Sequence, residues 1–413
     1  MPLTRKTGCL VFPVVIQSNP GWTIGPLPAS LLWPSSSPQA RASDEAARLG
    51  YFESRIARTL YGDAAAPVRW HRGSTEAWPD DTTLLAVEVL RAPAVCGPNS
   101  GFAVLHVRFG ADPVRELAGL IGVTASATGS ANRQRYQQAL PAGVAISEAT
   151  RRASTIAHVT FSEDTPSMMS SDYDGWPPQD QWLWCLASAS PESVFPPDPD
   201  DADLFRGRVR FSKDWQALVL RNGIAFVGMT PDPGDLSTFH AAAQSYVHSL
   251  YLDVMLLGLL QASAVNLLAN KIADVDVQRL RSGQLTSFEE SLIEIRRAFG
   301  RDNVTTHGKG NELLGDCLDQ WGIPALRARL IDDLDDSARF VEAANGRSLN
   351  AMLGLVSVLG LPFGLAYAAG VLWSAAGARG LAEWTGVAVA AALATTLLPP
   401  VRSMLRALHR NNE

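Results

Sequence analysis

The feature that most constrains this chain is a long uncharged stretch near its C-terminal end. From Ser348 to Ala378 the only ionisable side chain is Tyr367, a run of about 30 residues against the ~20 that cross a bilayer. A second uncharged run of about 18 residues, Trp384–Val401, follows a short loop. A soluble core helix would show polar residues along one face, and neither run does. We therefore predict two transmembrane helices within 347–401; the alternative is a buried helical hairpin.

Arginine positions predict the orientation of these helices. Arg347 precedes the first run, and Arg402, Arg406 and Arg410 follow the second. The positive-inside rule then places both ends of the chain in the cytoplasm, in a multi-pass protein of a bacterial inner (plasma) membrane, in contact with lipid. The basic tail, 402–413, and everything before the first span would be cytosolic.

The first 233 residues have the pattern of a mixed α/β domain. The stretches "CLVFPVV", "LLAVEVL" and "GFAVLHVRF" are typical of strands, and Asp44–Gly62 is typical of a helix that ends at glycine. We also expect a strand in "QWLWCLASA" and a loop over Gly122–Pro141. An Asn-Gly pair joins two apolar runs within Trp215–Met229, which predicts a β-hairpin at the end of the domain.

A helical pattern follows. We expect a long helix from Leu236 to about Val277, a second over Thr286–Gly300, and a third from about Asn311 into the first span. The middle of the long helix is uncharged for about 17 residues, but recurring Gln and Asn side chains favour packing in a cytosolic domain over a third span. The sequence thus predicts an α+β protein with a cytosolic mixed α/β domain (1–233), long antiparallel helices forming a stalk (234–346) and a two-helix transmembrane domain (347–401).

Composition and motifs exclude several classes of function. A net charge of −6 gives no whole-chain basic signature, so we expect no nucleic-acid partner. The four cysteines lie far apart, with no CxxC pair and no Cys-His spacing of a zinc site, and we expect reduced thiols. Motifs such as GxSxG, HExxH and the Walker loop are absent from the sequence, so we expect no enzyme. His240 and His248 share a helix face but lack a third ligand nearby, which favours a core or surface role.

In the order of its segments the chain resembles the CorA-type two-span metal-ion transporters. The similar stretches lie within Trp215–Met404 and read "SLYLDVMLLGLLQ", "GNELLGDCLDQWGIPALRARLIDDLDDSARFVEA" and "RSLNAMLGLVSVLGLPFGL". The resemblance implies an ion pore formed by a homo-oligomer, a pentamer in that family. The family ends its first span with Gly-Met-Asn, whose oxygens hold the hydrated cation. Here the corresponding residues are "GVLW", Gly370–Trp373, which predicts a related fold without the divalent filter.

The first span supplies the candidate pore wall. Gly360 and Gly364 allow close helix approach in lipid, and Pro362 frees a backbone carbonyl. These features suit a pore wall and a tightly packed anchor equally, and the resemblance favours the pore. The candidate pore-lining and gate residues are Asn350, Ser357, Gly360, Pro362, Gly364, Gly370, Leu372 and Trp373.

Four carboxylates just before the first span form a candidate metal site. We call Asp332, Asp333, Asp335 and Asp336 the acidic cluster. Oxygen ligands suit a hard cation such as Mg²⁺ or another divalent ion, held between neighbouring subunits. The alternative is a solvated charged face balanced by nearby arginines.

Together these patterns predict an oligomeric, CorA-like ion channel or transporter-like pore with a cytosolic regulatory domain and a degenerate selectivity filter. The regulatory domain is also a candidate surface for a protein partner. Two alternatives stay open. One is a membrane-permeabilising effector of a bacterial conflict or defence system, whose cytosolic domain senses a signal or partner. The other is a non-conducting, membrane-anchored interaction scaffold.

Overall fold

The computed structural model describes most of the chain before residue 344. The described residues are 3–33, 46–63, 65–123, 127–163, 175–191, 194, 197–234, 237–275, 282–299, 303–341 and 343. The chain divides into two compact units: a main unit of Met1–Asp274 with Phe288–Leu330, and a second unit of Val275–Ser287 with Ile331–Glu413. Both expected transmembrane helices, with every pore and gate candidate from Asn350 to Trp373, lie outside the described residues.

One large mixed sheet forms the centre of the main unit. Its strands are β1 (Leu3–Ile16), β2 (Thr23–Ile24), β3 (Arg69–Ala77), β4 (Thr83–Arg91), β5 (Ser100–Arg108), β6 (Val144–Ile146), β7 (Ser154–Phe161), β8 (Arg208–Arg210), β9 (Trp215–Leu220) and β10 (Gly223–Gly228). They run in the order β2-β3-β4-β5-β1-β7-β10-β9-β8, and β6 also pairs with β1. The β7–β10 pair is parallel and the other pairs are antiparallel.

Eleven helical segments lie among the described residues. They are α1 (Ala29–Leu32), α2 (46–51), α3 (Ser54–Tyr61), α4 (Pro113–Leu120), α5 (Ala127–Ala139), α6 (Pro178–Ser188), α7 (Thr238–Tyr246), α8 (Leu252–Ala273), α9 (Ser282–Phe299), α10 (Gly308–Gln320) and α11 (323–341). A π-helical turn, Val247–Tyr251, joins α7 to α8 without a break. The expected mixture of helices and strands is confirmed, and so is the hairpin, formed by β9 and β10 around the Asn-Gly pair.

Two local predictions were wrong. The stretch "QWLWCLASA" lies in α6, not in a strand, because Pro178 at its first positions favours a helix start and a short apolar run has no diagnostic period. The expected loop over Gly122–Pro141 contains α5. There Asn132 and Tyr136, one helical turn apart, both point inward and hydrogen-bond to the carbonyl of Leu120.

The two faces of the sheet differ in chemistry. On β1, Leu10, Phe12 and Val14 belong to an apolar core that also contains side chains of α4, α5 and α6. Since neighbouring residues of a strand point to opposite faces, Cys9 points to the other face. That second face is covered by the helix running from Thr238 to Ala273, and it holds the polar groups described below.

The helix Thr238–Ala273 is the one helix among the described residues that is long and apolar enough to cross a membrane. Of its most apolar window, 67% is buried inside the protein. A core helix meets the same criteria of length and composition, and Asp253 near the start of α8 is fully buried and ion-paired. The helix therefore packs in the protein interior, as its recurring polar residues predicted.

Candidate functional site

Four neighbouring strands each place one polar side chain on the helix-covered face of the sheet. They are Arg69 on β3, Glu88 on β4, His106 on β5 and Cys9 on β1, and all four are 0% exposed. Cys9 lies directly opposite His106, and Glu88 lies opposite Val104, two residues along the same face. Because residues two apart share a face, the four side chains form a diagonal row across the strands.

Helices packed on this face of the sheet supply the remaining side chains of the site. The π-helical turn supplies His248, and the next turn supplies Asp253, both 0% exposed. Arg48 on α2 and Tyr61 on α3 reach the same region. A π turn is rare and occurs often at functional sites, since it changes which side chains face a neighbour.

Two arginines and two carboxylates form what we call the ionic layer: Arg48, Arg69, Glu88 and Asp253. Asp253 accepts hydrogen bonds from Arg48 Nε at 2.7 Å, Arg48 Nη2 at 3.0 Å and Arg69 Nη1 at 2.5 Å. The hydroxyl of Tyr61 donates a fourth, at 2.7 Å. Asp253 thereby links the long helix to α2, α3 and the sheet.

Glu88 is the second acceptor of the layer. It receives Arg69 Nε at 2.6 Å, the backbone N–H of Leu27 at 3.0 Å and His106 Nε2 at 2.9 Å. Burial alone would raise the pKa of Glu88, but Arg69 and the hydrogen bond from His106 hold it well below its usual range. The layer therefore contains two positive and two negative charges, and its net charge is zero.

Next to the ionic layer lies what we call the Cys/His triangle: Cys9, His106 and His248. Cys9 Sγ is 3.4 Å from His106 Nδ1 and 3.3 Å from His248 Nδ1, and the two Nδ1 atoms are 3.0 Å apart. Among the described residues, this is the set of three or more possible metal ligands whose donor atoms lie within 4.8 Å of one another.

Burial sets the protonation of the triangle. It lowers the pKa of His106, against the opposing effect of Glu88, and it lowers the pKa of His248 further with help from His106. Burial, followed by the charge of Glu88, raises the pKa of the Cys9 thiol. Without a bound ion the triangle thus holds a thiol and two neutral imidazoles at neutral pH, with the His106 Nε2 proton directed at Glu88.

The order thiol, imidazole, carboxylate also occurs where a cysteine is activated as a nucleophile. Here Cys9, His106 and Glu88 are all fully buried, and the thiol is held protonated. A nucleophilic cysteine needs an accessible thiolate, so this arrangement suits ligand binding rather than attack on a substrate.

A second buried polar cluster anchors the start of β1. Asp232 accepts hydrogen bonds from Arg5 Nε at 2.8 Å, Thr160 Oγ1 at 2.7 Å and the backbone N–H of Gly234 at 2.8 Å. Arg5 also donates to Gln244 on α7 at 2.8 Å. This cluster connects β1, β7 and α7, and its groups satisfy one another, so we read it as structural.

The structure places the acidic cluster on α11. Asp332, Asp333, Asp335 and Asp336 are all exposed there. Asp336 lies 3.4 Å from Arg339 Nη1, and both side chains are about four-fifths exposed. An exposed pair of this kind contributes little to stability. Metal binding by the acidic cluster stays a prediction.

Of the core or surface role expected for the two histidines singled out in the sequence, the structure shows burial for both, since His240 is 5% and His248 0% exposed, and it places Cys9 and His106 beside His248. The partners of His248 escaped prediction because they come from distant strands. A signal was present: Glu88 is a lone charge within "LLAVEVL", and His106 interrupts the apolar "GFAVLHVRF". A buried strand tolerates such a residue only with a partner.

Comparisons with protein-family models, with curated proteins and with solved structures gave no match to this chain.

Proposed function

We propose that this protein is a CorA-like, oligomeric membrane protein, a pentamer by resemblance, in which the main unit regulates a pore with a degenerate selectivity filter. The observation that carries the proposal is the uncharged run Ser348–Ala378, long enough to span a bilayer, with "GVLW" where the family's filter would lie. Val371, Leu372 and Trp373 offer no side-chain oxygen to hold a hydrated divalent cation. A hydrophobic collar of this kind closes a pore by dewetting.

The packing of the main unit supports a regulatory role. The ionic layer fastens α8 to the sheet, and α8 packs closely against α10. At the contact, a Cβ added to Gly258 would lie 2.9 Å from the Trp321 ring, so only glycine permits this approach. The Trp321 indole N–H donates to the Arg221 carbonyl at 3.2 Å. In sequence α10 leads through α11 to the first expected span.

Ion flux tests the pore. The full-length protein is reconstituted into liposomes, and K⁺ and Mg²⁺ fluxes are followed side by side. We expect low flux at rest, poor selectivity once open, and higher flux after Leu372→Ser or Trp373→Ser because a polar collar wets more easily. A matched Val401→Ser variant, at the far end of the second span, should leave flux unchanged. Strong Mg²⁺ preference would restore an ordinary transporter, and no flux from any variant would favour the scaffold.

Topology is tested by labelling with a membrane-impermeant thiol reagent in intact cells. The four native cysteines are all buried, so their background is low, and none of them can report sidedness. We expect Gly377→Cys, in the short loop, to react from outside. Gly315→Cys, an exposed site on α10 with nothing within 4 Å of the new Cβ, should react only after lysis. The reverse pattern would contradict the proposed orientation.

A further inference from the structure

We propose that the Cys/His triangle is a binding site for one thiophilic transition-metal ion, ligated by Cys9 Sγ, His106 Nδ1 and His248 Nδ1. This inference does not rest on the membrane proposal. It follows from the geometry, the count of protons and the count of charges within the main unit.

The geometry fits a metal ion. Metal–nitrogen bonds of about 2.0–2.1 Å and metal–sulfur bonds of about 2.3 Å place two nitrogen ligands ~3.3 Å apart and nitrogen and sulfur ~3.6 Å apart in a tetrahedral site. The observed nitrogen–nitrogen distance is 3.0 Å, and the two nitrogen–sulfur distances are 3.4 and 3.3 Å. Each edge needs to lengthen by only about 0.1–0.4 Å, a change that small rotations of the three side chains would supply.

Two protons cannot form a hydrogen bond on every edge of the triangle. His106 donates its Nε2 proton to Glu88, so its Nδ1 carries a lone pair only. The remaining protons are one on the Cys9 thiol and one that His248 Nδ1 can carry. Three close edges then share at most two hydrogen bonds, so one edge has none. A single cation in the centre would be bound by all three atoms once the thiol proton has left and the His248 proton has moved to Nε2, which has no hydrogen-bond partner among the described residues.

The surroundings of His106 match those of a metal-ligating histidine. A ligating imidazole normally donates its other N–H to a carboxylate or carbonyl, which fixes the ring and raises its basicity. Glu88 does this for His106 at 2.9 Å, and Arg69 in turn holds Glu88 at 2.6 Å. The orientation of His106 is thus fixed by a charge in the ionic layer, so the ligand is in place before any ion arrives.

The charge count selects among metals. The ionic layer is neutral, and the imidazoles are neutral, so the ion and the Cys9 thiolate alone set the charge of the interior. Cu(I) with a thiolate adds no net charge, whereas Zn²⁺ with a thiolate leaves one positive charge buried, which is costly. Thiolate and imidazole donors suit both ions, and hard cations such as Mg²⁺ prefer oxygen. We therefore expect Cu(I) to be preferred.

The test is the metal content of the full-length protein. Cells are supplied with copper or with zinc in separate cultures, the protein is purified in detergent under reducing conditions without chelators, and bound metal is measured by mass spectrometry. We expect about one ion per chain in the wild type and a loss of tenfold or more in Cys9→Ser and His248→Gln. Cys96→Ser is the matched control, because Cys96 is also buried and its thiol donates to the Leu260 carbonyl, away from the Cys/His triangle. It should keep the ion.

An X-ray absorption spectrum of the wild-type protein gives a second readout that requires no variant to fold. One sulfur and two nitrogen neighbours are expected around the ion. A wild type that stays metal-free in both cultures, retention by Cys9→Ser equal to wild type, or a shell of oxygen atoms would overturn the proposal. Zinc bound through the same ligands would support the proposed site and would refute only the expected preference for Cu(I).

Discussion

Changing Asp253 to asparagine tests whether charge balance holds the sheet and the long helix together. The substitution keeps the shape of the side chain and removes one negative charge, so Arg48 and Arg69 are left facing Glu88 alone. An uncompensated buried charge costs about 3–5 kcal/mol. For a unit of this size about 1 kcal/mol shifts the melting temperature by roughly 2 °C, so we expect a fall of about 6–10 °C.

Restoring the balance should recover much of this loss. The double variant Arg48→Met with Asp253→Asn leaves only Arg69 and Glu88, which are neutral together. We expect it to be at least ~2 kcal/mol more stable than the sum of the two single effects, because the partners lie within one network. Tyr61→Phe removes one hydrogen bond to Asp253 and no charge at neutral pH, so it should cost only about 1 kcal/mol.

Thermal unfolding of the full-length protein in detergent, followed by tryptophan fluorescence, is measured for the wild type, Asp253→Asn, Arg48→Met, the double variant and Tyr61→Phe. Trp70 neighbours Arg69 in β3 and is 1% exposed, so it reports on this part of the sheet. If the single effects simply add in the double variant, or if Asp253→Asn melts within 2 °C of the wild type, the charge-balance reasoning is wrong.

Three further predictions concern the helices. Gly258→Ala should destabilise the protein by about 1–3 kcal/mol, because its new Cβ meets the Trp321 ring at 2.9 Å. Gly315→Ala, with open space around it, should stabilise α10 by about 0.5–1 kcal/mol. The melting temperature should therefore fall in the first variant and rise in the second. Burial, then Glu312 and Asp319, raise the pKa of Asp316 to about 6. The folded protein therefore binds a proton that the unfolded chain releases, and this stability, fully present below about pH 4, is lost as the pH rises through 6. In Asp316→Asn that pH dependence should vanish, with a gain of about 1 kcal/mol at pH 7 after allowance for partial exposure; an unchanged pH profile of the melting temperature would contradict it. If the acidic cluster binds Mg²⁺, then Mg²⁺ should raise the melting temperature of the wild type, and this rise should disappear when Asp332, Asp333, Asp335 and Asp336 are all changed to asparagine. An undiminished rise in that variant would show that the cluster is a solvated charged face.

What the sequence predicted correctly rests on local signals. The β9–β10 hairpin follows from an Asn-Gly pair between two apolar runs, and the long helix follows from 36 residues, Thr238–Ala273, without a breaker. The error at α6 has the same origin, since an apolar run as short as that one carries no period that separates strand from helix.

The site depends on contacts that no local pattern encodes. Cys9 and His106 are 97 residues apart, and His106 and His248 are 142 apart. Their meeting requires β1 to pair with β5 and the long helix to cross that pair, which a single sequence does not specify. The zinc-type spacings sought in the sequence are those of ligands on one short segment, so three ligands on three distant elements escaped them.

The π-helical turn has a consequence for how the protein tolerates insertions and deletions. On a regular α-helix, His248 and Asp253 would point about 140° apart, and both could not face the sheet. The i→i+5 turn brings them to one side, so that His248 reaches the Cys/His triangle and Asp253 reaches the ionic layer. Loss of one residue between His248 and Asp253 would leave them four residues apart, about 40° on a regular α-helix, so both would still face the sheet without the π turn. A one-residue deletion here should therefore be tolerated better than a one-residue insertion, which would put the two side chains on different sides of the helix.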